Sequence, residues 1–310
     1  MSQYWEKLGQ LFDPGAGNRH PKLASHAANP LPVHLDGDVY RVFYSGRDGQ
    51  NRSSVGAVDV DIVQRRILRE HFEPCFVHGP EGSFYAAGVS IGNCYRANGR
   101  HYMLFMGWQA PPGGHWRGDI GRLIVGEDLS LELESETPFM GATGVDPVSL
   151  SYPWVMANPD CGFEMWYGST LAWDAGNGEM LHVIQHASSR DGSEWLRHGQ
   201  AIPSPLGIAQ AFSRPTVLGN ADGSREMWFS YRCGTGKTYR IGYAVQSAGG
   251  SWELDLAAAG IDVSASGWDS EMIEYPFAFE HKGQRYLLYN GNGHGRTGFG
   301  LAILRNPDPS

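Results

Sequence analysis

One strand pattern recurs five times along 310 residues at a period near sixty, and this predicts an all-β fold: a five-bladed β-propeller of four-stranded antiparallel blades. Two repeated landmarks and one N-terminal match carry the prediction. Repeated β units that close into a ring also override the length prior for two domains, so residues 1–310 are expected to form one domain.

The first landmark is a run of bulky apolar residues with a small-residue exit. It reads Val42-Phe43-Tyr44-Ser45-Gly46, Leu104-Phe105-Met106-Gly107, Met165-Trp166-Tyr167-Gly168-Ser169, Met227-Trp228-Phe229-Ser230 and Leu287-Leu288-Tyr289-Asn290-Gly291. Aligned on Tyr44, Phe105, Tyr167, Phe229 and Tyr289, the runs lie 61, 62, 62 and 60 residues apart by subtraction. Aromatic, aliphatic and β-branched runs bounded by Gly, Ser and Asn read as strands. The second landmark precedes each run: Pro30, Gly88, Pro153, Pro215 and Pro276, with gaps of 58, 65, 62 and 61. A strand entry tolerates proline because no ladder donor is needed there, so these mark the innermost strand of each blade. A third strand follows the aromatic run, as at 54–60, 240–246 and 299–304.

The fifth blade is then one strand short. The segment Tyr4-Trp5-Glu6-Lys7-Leu8-Gly9-Gln10-Leu11-Phe12 matches Glu194-Trp195-Leu196-Arg197-His198-Gly199-Gln200-Ala201-Ile202, the expected outer strand of blade three, through W-x-x-x-G-Q and the apolar residues after it. Pairing this first strand with the last blade closes the ring and removes an exposed edge. The alternative is a short amphipathic N-terminal helix.

Composition excludes several classes of function. Hydrophobic residues make up 41% and aromatics 12%, enough for a packed core, and 42 Gly with 18 Pro indicate many turns. No apolar run approaches the roughly eighteen residues of a membrane-spanning helix, so no membrane partner is expected. A net charge of -9 without a basic run gives no attraction to nucleic acid or anionic lipid. Cys75, Cys94, Cys161 and Cys233 are scattered without a CxxC pair and read as free thiols. With no basic-then-apolar N-terminal order, a cytoplasmic location is expected. No metal-ligand cluster or cofactor motif is visible, and the expected partner is a small molecule or an oligosaccharide.

In a propeller the inner strands line a channel and the loops at one end form a funnel, so residues beside the inner-strand entries converge. This nominates His26, Asn29, Tyr85, Ser151, Tyr152, Ser213, Arg214, Glu271, Glu274 and Tyr275. Arg214 and Glu274 stand out as charges beside apolar strands, and pairing with each other is the plain structural alternative. An aromatic and polar ring suits a sugar, whose faces stack on rings and whose hydroxyls need donors and acceptors. The Pro- and Gly-rich insert from Trp108 to Gly118 is expected to wall the funnel, with Trp108, Trp116 and Trp173 as stacking platforms.

Together these features resemble the five-bladed propellers of glycoside hydrolase families 43, 32 and 68, in a catalytically divergent form. The resemblance spans nearly the whole chain, through blade spacing, inner-strand prolines and second strands of the W-Y-G or F-Y-S-G kind. The stretches Gly267-Trp268-Asp269-Ser270-Glu271-Met272-Ile273-Glu274-Tyr275-Pro276 and Tyr289-Asn290-Gly291-Asn292-Gly293 are its most distinctive. It implies an Asp before the blade-one proline, an Asp-Pro in a later blade, and a catalytic Glu two residues before another proline. Glu274 in Glu274-Tyr275-Pro276 has the last form, in the fifth blade rather than a middle one. Asp146-Pro147 lies upstream of Pro153, and Asn29 stands where the Asp is implied. An amide cannot serve as nucleophile or base in two-carboxylate glycoside hydrolysis.

Three readings follow. The chain is a glycosidase-like enzyme on a glycoside or activated sugar, with Glu274 as general acid or base, Glu271 or Asp146 as second carboxylate, and Arg214 fixing an anionic or hydroxyl group. Or the funnel does other chemistry in sugar or metabolite biosynthesis, with His26 as base. Or it is a sugar-binding propeller without catalysis.

Other signals are discounted. Gly293-His294-Gly295-Arg296-Thr297-Gly298 satisfies GxGxxG but precedes a strand-like segment, not the helix that a dinucleotide site requires. It reads as a loop that can bring Asn292, His294 and Arg296 to the funnel. His182 and His186, four apart, are too distant for one metal in a strand, and both read as ordinary strand residues. Ser189-Arg190-Asp191-Gly192-Ser193-Glu194-Trp195 resembles a structural Asp-box turn.

Overall fold

A computed structural model describes residues 3–160, 162–234 and 237–306. The expectation of a free thiol at Cys161 lies outside the described residues, while Cys75, Cys94 and Cys233 are free. Strand β1 (Tyr4–Phe12) comes first in the chain. Blade one follows as β2 (Ser25–Asp36), β3 (Val39–Arg47), β4 (Ser53–Asp61) and β5 (Arg66–Phe76), and blade two as β6 (Gly88–Ala97), β7 (Arg100–Gln109), β8 (Arg117–Val125) and β9 (Leu131–Leu133). Blade three is β10 (Ser149–Asn158), β11 (Gly162–Ala172), β12 (Leu181–Ser189) and β13 (Leu196–Gln200), and blade four β14 (Gln210–Gly219), β15 (Arg225–Arg232), β16 (Arg240–Gln246) and β17 (Trp252–Leu254). Blade five is β18 (Glu274–His281), β19 (Gln284–Asn290) and β20 (Phe299–Arg305), completed by β1, which runs antiparallel to β20 from Tyr4↔Arg305 to Phe12↔Phe299. The fold is the predicted five-bladed propeller. A lone parallel bridge, Ser53↔Gly88, links blades one and two. No helix among the described residues is long and apolar enough to cross a membrane.

The W-x-x-x-G-Q match has a physical basis. In blade three, Arg197 Nη1 lies 2.5 Å from the buried Asp146 carboxylate, which also accepts from Tyr167 Oη at 2.9 Å. In blade five, Lys7 Nζ lies 2.7 Å from buried Asp269, which accepts from Tyr289 Oη at 3.0 Å. Lys7 and Arg197 share one position in the aligned outer strands, and Tyr167 and Tyr289 share one in the second strands. An aspartate from the entry loop thus ties the second strand of each of these blades to its fourth. The ring is also closed through Tyr40 of blade one, whose hydroxyl lies 2.9 Å from His281 Nδ1 and whose ring is 5.3 Å from that of Phe279 in blade five.

Each inner strand carries a β-bulge at the same place, falling between Ala28/Leu31, Ile91/Cys94, Ser151/Trp154, Ser213/Thr216 and Glu274/Phe277. The second landmark therefore becomes Pro30, Gly92, Pro153, Pro215 and Pro276, with gaps of 62, 61, 62 and 61, and Gly88 is corrected to Gly92. Gly92 is required because a Cβ there would lie 2.4 Å from the Pro153 carbonyl of the next blade. The residue before each proline has positive φ: Asn29 56°, Tyr152 37°, Arg214 46° and Tyr275 52°. Such backbone costs about 1–3 kcal/mol per residue and persists where the surroundings over-determine it. Neighbouring blades hold it: Asn290 Oδ1 accepts from Asn29 N at 2.9 Å, Ser230 Oγ from Tyr275 N at 2.7 Å and, in blade two, Ser45 Oγ from Ile91 N at 3.3 Å.

Candidate functional site

The bulges aim inner-strand side chains into the channel. The five residues that open the bulges, Ala28, Ser90, Ser151, Ser213 and Glu274, pair with Ser45, Met106, Gly168, Ser230 and Asn290, the residues just after the aromatic landmarks. Four of the five are small and line a cavity of about 350 Å³, together with Asn29, Tyr152 and Tyr275. The fifth is Glu274. It is wholly buried, and neither carboxylate oxygen accepts a well-directed hydrogen bond. Its contact is His294 Nδ1, 2.9 Å from Oε1.

His294 reaches this place through a left-handed turn. Gly293 (φ 67°) and His294 (φ 59°) both have left-handed backbone, Gly295 follows at φ 81°, and the next strand is β20. The Gly-rich motif is therefore the loop between strands that the sequence indicates, and its histidine lines the cavity. The Glu274 carboxylate raises the His294 pKa above its usual value, against burial and the charges of Arg47 and Arg232. With Nδ1 facing Glu274, Nε2 is the ring nitrogen left to meet a ligand. Burial first, and then the Glu274 charge, push the Tyr275 phenol well above its ordinary range, so it stays protonated. Tyr152 Oη lies 3.3 Å from Tyr275 Oη.

Trp108 lines the cavity with its Nε1 donating to Ser53 Oγ at 3.0 Å, and Trp116 lines it too. Trp173 stacks on His115 at 4.4 Å rather than joining the wall. Three buried polar atoms on lining residues have no hydrogen-bond partner among the described residues, Asn29 Oδ1, Ser213 Oγ and Arg232 Nε, the last of them in an ion pair.

Besides Glu274 and Trp173, the nominated residues Tyr85, Asp146, Glu271, Arg214 and His26 are not among the lining residues. Tyr85 packs with Phe84 at 5.0 Å and Phe76 at 5.9 Å, in the apolar core; it was reached by counting back from Gly88, four residues early. Asp146 is held by Arg197 and Tyr167 as described, so it is a tie within blade three and not a second carboxylate of the cavity. Glu271 has an exposed side chain, and only its backbone is engaged, with its N–H donating to Asn292 Oδ1 at 2.8 Å. Arg214 reaches across from blade four and donates to the carbonyls of Ile91 at 3.0 Å, Pro30 at 2.9 Å and Gly92 at 3.4 Å in blades two and one. It makes no ion pair with Glu274, and burial pushes its pKa down to about 9, leaving it charged at neutral pH. His26 is half-buried beside Ser25 Oγ, 2.9 Å from Nδ1. Burial, then Arg47, His294 and Arg296, lower its pKa to about 4.

Arg47, Arg232, Tyr239 and His182 line the cavity and were not nominated for it. The period contains a signal for the arginines: Arg47 and Arg232 each stand three residues after the aromatic landmark, as Trp108 does. Arg232 Nε is 2.7 Å from buried Glu179. His182, read from the sequence as an ordinary strand residue, lies with Nε2 2.7 Å from Ser151 Oγ and Nδ1 2.7 Å from Thr170 Oγ1. Burial lowers its pKa from 6.5 to about 3.

That shift predicts acid sensitivity. Between pH 6.5 and 3 the unfolded chain binds a proton that native His182 refuses, so stability falls as pH drops through this window. Melting temperatures measured from pH 7 to pH 5 are expected to decline, and to decline less steeply in His182→Gln; an unchanged slope would contradict the assignment.

Two Mycobacterium tuberculosis proteins, "Uncharacterized protein MT1551" of strain CDC 1551 and "Uncharacterized protein Rv1502" of strain H37Rv, are each 43% identical to this chain over 304 residues, covering 97% of it and 99% of their own length. The chain belongs to their family. No protein-family model matches it. Among solved structures, a glycosyl hydrolase from Bacteroides ovatus superposes with a TM-score of 0.72 at 11% identity, covering 100% of this chain and 95% of its own. An endo-arabinase from Bacteroides thetaiotaomicron gives 0.59 at 12% identity, covering 95% of this chain and 99% of its own. Sucrose-6-phosphate hydrolase from Lactobacillus gasseri gives 0.61 at 12%, covering 93% of this chain and 62% of its own. These likenesses show that the family of MT1551 and Rv1502 shares a glycoside hydrolase-like propeller fold.

Proposed function

We propose that the chain is a carbohydrate-active enzyme of glycosidase-like kind, acting on a glycoside or activated sugar in the funnel, with His294 as proton donor and Glu274 as the residue that positions and charges it. One observation carries this reading. Where four blades place Ala or Ser, blade five places a wholly buried carboxylate whose near contact is a cavity-lining histidine. An isolated buried carboxylate is costly, and a structural role would favour full hydrogen bonding. Tyr152, Tyr275 and the Trp108 and Trp116 indoles offer the aromatic faces that sugar rings stack against, and Asn29 Oδ1 and Ser213 Oγ are free to meet hydroxyls.

In the proposed reaction, protonated His294 gives its Nε2 proton to the departing oxygen as the bond to the anomeric carbon breaks. Water or an acceptor hydroxyl completes the sugar, and its proton returns to solvent. Among the described residues no acidic one lines the cavity, so the lining supplies the acid half of the two-carboxylate mechanism alone. This favours an activated sugar, whose leaving group departs without a strong nucleophile behind it. The same observation supports a second reading, a sugar-binding propeller without catalysis.

The pH–rate profile separates them. Turnover of aryl glycosides and nucleotide sugars is expected to fall as pH rises through the raised His294 pKa, because the donor is then deprotonated. His294→Gln is expected to lower kcat by about a hundredfold or more and to erase that limb. Binding of sugars by the wild-type protein with no turnover would favour the binding module.

A further inference from the structure

Arg47 and Arg232 occupy the same position in blades one and four, and both line the cavity. Their surroundings differ. Arg232 is neutralised by Glu179, 3% exposed and 2.7 Å away. Arg47 donates to the neutral Asn51 Oδ1 at 2.8 Å and forms no ion pair with a carboxylate among the described residues. Neighbouring Asp48 is committed elsewhere, 2.8 Å from Arg52. Other basic side chains stand close to it, His294 in the lining and His26 and Arg296 behind it, with His26 held neutral by burial. Arg47 acts on both His26 and His294, and Arg296 acts on His26 as well. The Glu274 carboxylate is engaged by His294. An arginine fork that lines the cavity without an ion-pair partner among the described residues matches a phosphate or carboxylate group.

We propose that the ligand carries an anionic group bound at Arg47, so that the substrate class is an anionic sugar: a sugar phosphate, a nucleotide sugar or a uronic acid. The proposal rests on the carbohydrate reading above. The arrangement orients such a ligand. Its anion sits with Arg47 of blade one, and its hydroxyls meet Asn29 Oδ1 and Ser213 Oγ, buried atoms without partners. A cavity of about 350 Å³ is at the small end of ligand pockets, which run from about 300 to 1,000 Å³, so one or two sugar rings fill it. The negative net charge of the whole chain makes this local reversal of sign a feature of the site rather than of the surface.

The test is calorimetric titration at fixed ionic strength with glucose 6-phosphate, glucuronate, glucose and inorganic phosphate, on wild type, Arg47→Gln and Arg47→Lys. At least one of the two anionic sugars is expected to bind about tenfold or more tightly than glucose. Arg47→Gln is expected to erase that margin, and Arg47→Lys to keep part of it. Because the side chain's hydrogen-bond partner among the described residues is Asn51, both variants are expected to keep the wild-type melting temperature. Preference for glucose phosphate points to phosphoryl ligands, and preference for glucuronate to uronic acids. Equal binding of glucose and both anionic sugars, a margin unmoved in Arg47→Gln, or no binding of any anion overturns the inference. Arg47-dependent binding of inorganic phosphate with no gain from any sugar supports the anion site and overturns the carbohydrate reading instead.

Discussion

Glu274→Gln is expected to lose turnover by a factor of about 10² to 10⁴, the usual worth of a positioned proton-transfer group, while sugar binding changes little. The substitution keeps volume and removes charge. Glu274 is not among the cavity-lining residues, so ligand contacts survive. What disappears is the carboxylate that raises the His294 pKa, leaving burial, Arg47 and Arg232, all of which lower it. The limb on which activity falls with rising pH should therefore move to lower pH, and less of the donor should be protonated at neutrality. A merely structural Glu274 would give a different pattern: lower stability with an unmoved limb. The melting temperature is expected to hold or rise, because a buried carboxylate without well-directed hydrogen bonds contributes little to stability. Unchanged kcat with an unmoved limb would sink the assignment.

Blade number, order and closure are legible in the sequence because they rest on side chains repeated for packing. The aromatic at the centre of each second strand is buried in all five blades, so its period reports the fold directly. The outer-strand match is legible for a similar reason, since Lys7 and Arg197 do one job in two blades. The inner strand of blade two is misplaced because its landmark is a glycine among several. Gly88 and Gly92 are both forced by close neighbours, but only Gly92 abuts the next blade's proline. That slip of four residues brought in Tyr85 and hid Ser90.

The candidate site is legible in part. Ring membership follows from the period, which is why Asn29, Ser151, Tyr152, Ser213 and Tyr275 were reachable. The partner of a buried charge does not follow from it. Asp146 and Glu274 look alike as acidic residues near prolines, yet one meets Arg197 on an outer strand and the other meets His294 on a loop. Arg214 shows the same limit, since its acceptors are three backbone carbonyls from two other blades. Backbone carbonyls leave no signature in a sequence. The left-handed turn at Gly293 and His294 is visible only as a Gly-rich pattern with the wrong neighbours for a phosphate loop.

Lys7→Met is expected to destabilise the fold by about 3–5 kcal/mol, the cost of leaving a buried carboxylate without its cation. Asp269 is 2% exposed, and its Oδ2 then keeps Tyr289 Oη as its side-chain donor. Lys7 sits on β1, which holds blade five closed by pairing with β20, so the loss falls at the seam of the ring. Trp5 on the same strand packs at 5.4 Å against Trp228 of blade four, and with ten indoles in the chain the fluorescence difference between otherwise identical proteins with Trp5 and with Trp5→Phe reports on this seam. Urea unfolding of Lys7→Met should show a lower midpoint, with Trp5 exposure preceding or accompanying the main transition. The double variant Lys7→Met/Asp269→Asn should recover much of the loss, because the uncompensated charge is gone. Recovery distinguishes the ion pair from simple packing by the lysine stem; equal midpoints for the single and double variants would reject it. Arg197→Met should behave in the same way through Asp146, and more severely, since Arg197 also donates to two groups, Gly141 O at 2.8 Å and Thr143 Oγ1 at 3.0 Å, where Lys7 also donates to one, Ser264 Oγ at 2.9 Å. That ordering follows from the geometry of the two ties, which are otherwise the same device built once within a blade and once across the ends of the chain.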